Sequence, residues 1–378
     1  MKIIHVVESL ASAGGGLPAA VKSLIKLQQS FNYKVICAVT GLATPNNEFD
    51  KNTVFNLRDS SILSSIFNLN KLCLSIKRHH YDFVHIHGVW NLTYLVICIT
   101  CRLAGVKYVV TTHGQLLSTI LESDSIQKRL KKKIYYQLFA RQILQGAFKI
   151  HVSSENERSE FSLNKILSKK IVLIPHIMDD IFFDIKLDRD SSHFHADKTP
   201  EFKDILFVGR LDVRKGILDL IDGFASSGLS LDWRLRIVGP NSDPDFMKLM
   251  LRKISSIGMV ERILIEKPIY GDLRIDLYLS CYVFCLPSYS EAPGLVNIEA
   301  ALVGRPVITT PYTGLLDIKE FGGVLCDTGQ ESIGLALREV ASWTENEYFS
   351  RSKRIQSWAK SEFSLDIILP RWKKFYTQ

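Results

Sequence analysis

Twice along this 378-residue chain, short β-rich runs alternate with helical segments, and near the middle that alternation stops. In the first half the β-rich runs are 2–7, 33–40, 81–88, 107–114, 148–154 and 170–176, with helical periodicity over 17–29 and 92–105. Ser154, followed three residues later by Glu157, reads as a capping box opening a further helix. Residues 179–203 are charged and aperiodic. The alternation resumes with strands at 204–210, 233–240, 261–269, 282–288, 305–310 and 322–327, and helices at 216–225, 273–281 and 295–303. Short strands separated by helices imply parallel strands joined by crossovers. The pattern predicts an α/β chain of two doubly wound, Rossmann-like domains facing a cleft. Residues 1–178 form the first domain, 179–203 the connection, 204–360 the second domain, and 361–378 a terminal helix. The length suits about two domains of roughly 100–200 residues each.

The longest apolar run, 92–101, is followed by Arg102 and Lys107. It falls short of the ~18–20 residues a spanning helix needs. The N-terminal stretch turns polar too quickly for a signal peptide and reads as a first strand. A cytoplasmic protein is the expectation. Cys37, Cys73, Cys281 and Cys285 lie in apolar runs, as does the Cys98–Cys101 pair, so reduced packing residues are expected. The net charge is +8, and Lys128, Arg129, Lys131, Lys132 and Lys133 concentrate part of it before an apolar segment. Such a stretch suits an anionic membrane surface, a phosphate-bearing substrate or a solvated helix face.

In doubly wound sheets ligands sit beyond the carboxyl ends of strands. After the first strand come Gly14, Gly15 and Gly16, which allow close backbone approach to a ligand, or simply a tight turn. No GxGxxG with an acidic partner and no Walker motif is present, which argues against a nicotinamide dehydrogenase and an NTPase. His85 and His87 share one strand face. Without a third ligand nearby they read as one polar wall residue and one packed residue, not a metal site. His113 ends a strand, facing either a substrate hydroxyl or loop backbone.

In the second half Gly209 ends a strand, and Arg210 and Lys215 follow, two cations suited to a diphosphate. Glu291 stands in a loop before Pro293 and Gly294, and Glu299 lies a turn inside the next helix. The amides of Gly294 and Leu295 are expected free at that helix start. A buried Glu299 needs hydrogen bonds, which sugar hydroxyls would supply.

The segments "GRLDVRKG" and "SEAPGLVNIEA", with the glycine cluster, "HIHGVW", "TTHG" and the basic helix upstream, resemble the retaining GT-B glycosyltransferases of family 4, nearest to bacterial polysaccharide and O-antigen types. The resemblance implies transfer of a sugar from a nucleoside-diphosphate sugar to a growing glycan in surface polysaccharide synthesis, and the basic segment 128–133 points to a lipid-linked acceptor at the inner face of the cytoplasmic membrane. His113, Arg210, Lys215 and Glu291 would be the catalytic set. Gly14, Gly15, Gly16, Gly209, Ala292, Pro293, Gly294, Leu295 and Glu299 would bind substrate, Glu299 at the ribose. No metal or cofactor is implied. The DxD-like 188–190 falls in the connection, and Asp243–Pro244–Asp245 is expected in a loop. Pro293 departs from the family pattern, as does "PHI" at 175–177. A sugar phosphorylase, or a non-enzymatic nucleotide-sugar or polyanion binder, is the alternative. Charge alone suggests nucleic acid, but no RRM, KH or helix-turn-helix pattern supports it.

Overall fold

Among the described residues of the computed structural model every strand pairing is parallel, as the alternating pattern requires. The structure describes residues 1–10, 16–41, 54–58, 61–118, 126–161, 165–187, 202–241, 243–291 and 293–377. They divide into two units, Met1–Ile177 with Ile368–Gln378, and Met178–Ile367.

The first unit contains β1 (Lys2–Val7), α1 (Gly16–Ser30), β2 (Lys34–Val39), β3 (Val54–Asn56), α2 (Ile62–Arg78), β4 (Phe83–His87), α3 (Leu92–Ala104) and β5 (Lys107–Thr111). Then follow α4 (Ile126–Tyr135), a π turn (Tyr136–Ala140), α5 (Arg141–Gly146), β6 (Lys149–Val152), α6 (Glu155–Glu160) and β7 (Ile171–Leu173). The sheet order is β3-β2-β1-β4-β5-β6-β7, so the order reverses between β1 and β4. Local chemistry sets the helix ends. Asn91 caps α3 by accepting the Thr93 amide at 2.9 Å, and Gly105 closes it in the left-handed region. One sheet face is apolar. Ile4, Val6, Val84, Ile86, Val110 and Ile150 pack into a cluster with α2, α3 and α5. The alternate positions include His5, His85, His87, Thr111 and His151, all buried. A sheet covered on both faces ordinarily carries apolar residues on both.

The second unit contains β8 (Lys203–Val208), α7 (Ile217–Ser226), β9 (Trp233–Val238), α8 (Pro244–Ser256), β10 (Ile263–Glu266), α9 (Leu273–Leu279), β11 (Val283–Leu286), α10 (Leu295–Leu302), β12 (Val307–Thr309), β13 (Val324–Leu325), α11 (Gln330–Ala341) and α12 (Glu345–Phe363). Its sheet order is β10-β9-β8-β11-β12-β13, reversing between β8 and β11. A last helix, α13 (Leu365–Thr377), contributes its residues from Ile368 to the first unit. Residues 178–187, most of which the sequence places in the connection, pack within the second unit. There Phe182 is buried, and the Ile185 carbonyl accepts from Gln356 at 3.1 Å and Lys360 at 2.7 Å.

Two local expectations change. Asp243, expected in a loop, stands instead at the start of a helix. Its carboxylate caps α8, accepting the Asp245 and Phe246 amides at 3.0 and 3.2 Å, with Pro244 in the first turn. The Ser154 capping box is half formed. Ser154 accepts the Glu157 amide, but the Glu157 carboxylate turns to other donors. The 188–190 motif lies outside the described residues.

Candidate active site

In the second unit the strand order reverses where β8 and β11 end, and most of the expected site residues follow those two strands. Gly209 donates its amide to Val238 at 3.0 Å, and Arg210 is exposed just beyond it. Asp212 then accepts the Arg214 amide at 2.9 Å, forming a short turn that ends at Gly216. Gly216 has φ +68°, and a Cβ there would run into the Pro287 carbonyl. Only glycine lets this turn press against β11. That approach brings the Lys215 ammonium onto the Glu291 carboxylate, with both side chains mostly buried. Ser288 donates to the same carboxylate oxygen at 3.2 Å.

The loop after β11 is strapped down from a second side. Glu291 and Gly294 donate their amides to the carbonyls of Tyr312 and Thr313, at 2.9 and 3.2 Å. The Gly294 amide is therefore engaged and not free, because the Pro311–Thr313 turn lies beneath it. The amides of Leu295 and Val296 open α10 with no helical carbonyl ahead of them. Pro293 and Gly294 are buried; Ala292 lies outside the described residues.

Glu299 forms a separate center. Its buried carboxylate accepts the Tyr278 hydroxyl at 2.6 Å and an Arg274 N–H, so the protein itself supplies the hydrogen bonds expected from sugar hydroxyls. Arg274 also reaches Asp179 at 3.2 Å. Burial pushes the Glu299 carboxyl up, opposed by Arg274 and the Tyr278 hydrogen bond. Arg274 and Tyr278 are four apart on α9, so they share a helix face. That four-residue spacing is the sequence signal that marks Arg274 and Tyr278 as partners of one site.

In the first unit, His113 follows β5 in a turn. The Gln115 amide donates to the Thr112 carbonyl at 3.0 Å, and the two central residues both have positive φ, His113 at 48° and Gly114 at 72°. A non-glycine residue in that region is strained by about 1–2 kcal/mol and persists where its surroundings over-determine it. Glu157 does so here. This buried carboxylate accepts from Thr112 Oγ1 at 2.8 Å, the Gly114 amide, the Ser153 amide at 2.7 Å and Ser153 Oγ at 2.6 Å. Its position signaled a helix cap, not this second role.

His85 and His87 are both buried, so neither is a wall residue. With His5 they offer ring nitrogens within 4.8 Å of one another. All six of those nitrogens already have hydrogen-bond partners, which fits a polar network better than a cation. Gly16 opens α1 and is exposed; Gly14 and Gly15 lie outside the described residues. All seven cysteines are free, and burial pushes Cys98 up to about 12, so it is an inert thiol.

Residues 13–176 match the Glycosyl transferase 4-like domain, and residues 188–361 match Glycosyl transferases group 1. A Klebsiella pneumoniae protein described as an uncharacterized 41.2 kDa protein in cps region is 24% identical over 84% of this chain and 83% of its own length. Among solved structures, Anabaena Alr3699/HepE in complex with UDP and glucose shares the fold. Its TM-score is 0.77 at 18% identity, over 99% of this chain and 98% of that one. WaaG, a glycosyltransferase involved in lipopolysaccharide biosynthesis, has a TM-score of 0.71 at 15% identity, over 99% and 98% of the two chains.

Proposed function

We propose that this chain, a glycosyltransferase whose two Rossmann-like units carry the Glycosyl transferase 4-like and group 1 domains, moves a sugar from a nucleoside-diphosphate sugar to a growing glycan in surface polysaccharide synthesis. The observation that carries the reading is the cluster at the β8/β11 switch point. Lys215 and Glu291 meet there, the exposed Arg210 follows the same end of β8, and the start of α10 lies on the Glu291 loop. Cations and helix-end amides at a strand-order reversal suit a diphosphate. HepE binds UDP and glucose at the same fold, and WaaG acts in lipopolysaccharide biosynthesis, which supports the donor and product classes.

In this reading the charge developing on the departing diphosphate is taken by Arg210, Lys215 and the first amides of α10. No metal is required for that task. The acceptor hydroxyl attacks from the leaving-group face, its proton passes to the leaving phosphate, and the anomeric configuration is retained. Glu291 holds Lys215 until the donor arrives, then turns to the sugar. Glu299, pre-oriented by Tyr278, faces the ribose. His113 contacts the donor sugar.

No described helix is long and apolar enough to cross a membrane. A lipid-linked acceptor would instead be met at a bilayer surface. The α4 helix buries none of its residues and exposes Ile126, Leu130 and Ile134 at four-residue spacing, beside Lys128, Arg129, Lys131, Lys132 and Lys133. That is the pattern of a helix lying on anionic lipid.

The test is a screen of nucleoside-diphosphate sugars by thermal shift, then by transfer or hydrolysis with and without EDTA, with NMR of the product anomer. A rise in melting temperature with one nucleotide class, EDTA-resistant turnover and a retained anomer are expected. No shift with any donor, or an inverted product, overturns the reading.

A further inference from the structure

The histidine-rich sheet face of the first unit has no part in the chemistry above, apart from its end at His113. Its hydrogen bonds form one unbroken chain. His113 Nε2 meets His87 Nδ1 at 3.0 Å, and His87 Nε2 meets His5 Nδ1 at 2.8 Å. His5 Nε2 meets Gln28 Oε1 at 2.7 Å, and Gln28 Nε2 meets the Tyr376 hydroxyl at 2.9 Å. That hydroxyl meets His85 Nδ1 at 2.7 Å, and His85 Nε2 meets Thr111 Oγ1 at 2.6 Å. Thr111 Oγ1 meets His151 Nδ1 at 3.0 Å, and His151 Nε2 ends the chain on the Ile174 carbonyl at 2.7 Å.

The last link fixes all the others, because a carbonyl only accepts. His151 must carry its proton on Nε2. Burial holds its ring neutral, so Nδ1 is a lone pair and Thr111 donates to it. The Thr111 oxygen is then left to accept from His85 Nε2–H, and His85 Nδ1 accepts the Tyr376 proton. The Tyr376 oxygen accepts from the Gln28 amide, whose carbonyl accepts from His5 Nε2–H. His5 Nδ1 accepts from His87, and His87 Nδ1 accepts from His113. Every donor finds one acceptor, with none opposed. Trp372 and Phe375 pack on His85 and His151 and close the chain off from water.

We infer that this directed chain fixes His113 as its Nε2–H tautomer, so that His113 presents a bare Nδ1 as a hydrogen-bond acceptor to the substrate. Among the described residues nothing donates to that nitrogen. Gln28, Tyr376, His5 and His87 are positioning residues. The tautomer follows from the first unit alone; its use rests on the proposed contact between His113 and the donor sugar. That contact then selects a sugar offering a hydroxyl or amine proton at this point, and disfavors one offering a carboxylate or ether oxygen.

The experiment is a long-range ¹H–¹⁵N correlation spectrum of histidine-labeled full-length protein near pH 7.5, repeated on Tyr376→Phe and Gln28→Leu, with thermal melts to check folding. In the native protein His5, His85, His87, His113 and His151 are expected as Nε2–H tautomers. In either variant the Nδ1 and Nε2 shifts of His113 move toward each other as the directing link is lost, while His151, anchored on Ile174, keeps its pattern. His113 found as Nδ1–H or as imidazolium overturns the inference, as does a folded variant with unchanged His113 shifts. If neither variant folds, the native spectrum decides. No nucleotide sugar enters this experiment, so its result is independent of the donor screen.

Discussion

Lys215 and Glu291 lie 76 residues apart in sequence and share an ion pair where β8 and β11 end. The pair occupies the cation proposed for the donor diphosphate, so donor and Glu291 compete for it. Glu291→Gln removes the competitor and keeps the shape. Affinity for the nucleoside diphosphate alone is expected to hold or rise, while turnover of the nucleotide sugar falls. Lys215→Ala removes a charge-assisted contact of about 1.5–3 kcal/mol, so diphosphate affinity falls roughly tenfold to a hundredfold. Calorimetry with the nucleotide and a turnover assay separate the two effects. Weaker nucleotide binding in Glu291→Gln contradicts the competition.

Tyr278 is fully buried and donates to Glu299, which Arg274 also holds. Tyr278→Phe leaves one carboxylate oxygen without its donor in a buried site. The loss is expected at about 1–3 kcal/mol of folding stability, read from the denaturant midpoint. Glu299→Ala leaves Arg274 its Asp179 partner but strips the buried Tyr278 hydroxyl of its acceptor, so it is expected to cost a comparable amount, about 1–3 kcal/mol of stability, and, unlike Tyr278→Phe, to lower nucleotide affinity strongly. A Tyr278→Phe midpoint equal to the parent's shows that the hydroxyl does not support Glu299.

Acid should unfold the first unit in a defined window. Burial lowers His5 and His176 to about 4 and His151 to about 3, and holds His85, His87 and His113 well below their usual range. In the unfolded chain these groups titrate near 6.5. Between about pH 6.5 and 4 the unfolded state therefore binds protons that the native state does not, and stability falls as pH falls. Each histidine contributes up to about 1.4 kcal/mol per pH unit there. The melting temperature is expected to drop steeply from pH 6.5 to 5 and to change little from pH 7 to 8. A flat profile across the lower window rules this out.

The architecture was legible because parallel sheets leave a strong alternation of β-rich and helical runs. The polar networks were not. Glu157 displayed the spacing of a helix cap, and its grip on Thr112 and Gly114 exists only because β5 and β6 pair. His5, His85 and His151 come from three separate strands, and Gln28 and Tyr376 from two helices 348 residues apart, so no local spacing joins them. The free amide expected at Gly294 failed for a similar reason, since the turn beneath it arrives from the far side of β12. Local chemistry placed Arg210, Lys215 and Glu291 beyond strand ends. Only the strand order showed that two of those ends adjoin.

The exposed helices of the first unit give the last prediction. Beside α4, α3 exposes Leu92, Val96, Ile99 and Leu103, and α2 exposes Ile62, Leu63, Ile66 and Phe67. These helices carry no acidic residue, whereas Lys71, Lys77, Arg78 and Arg102 lie on α2 and α3 and five cations lie on α4. Charge of one sign beside exposed apolar rows suits an anionic bilayer, where each basic side chain near the surface contributes about 1 kcal/mol. Reversing Arg129, Lys131 and Lys133 to glutamate should then weaken binding to phosphatidylglycerol vesicles at least a hundredfold. Neutral phosphatidylcholine vesicles should bind weakly before and after. Turnover on a soluble acceptor should persist, because α4 is remote in sequence from the β8/β11 loops. Cosedimentation measures the binding, and equal partition of parent and variant on anionic vesicles removes the bilayer as the partner of this face.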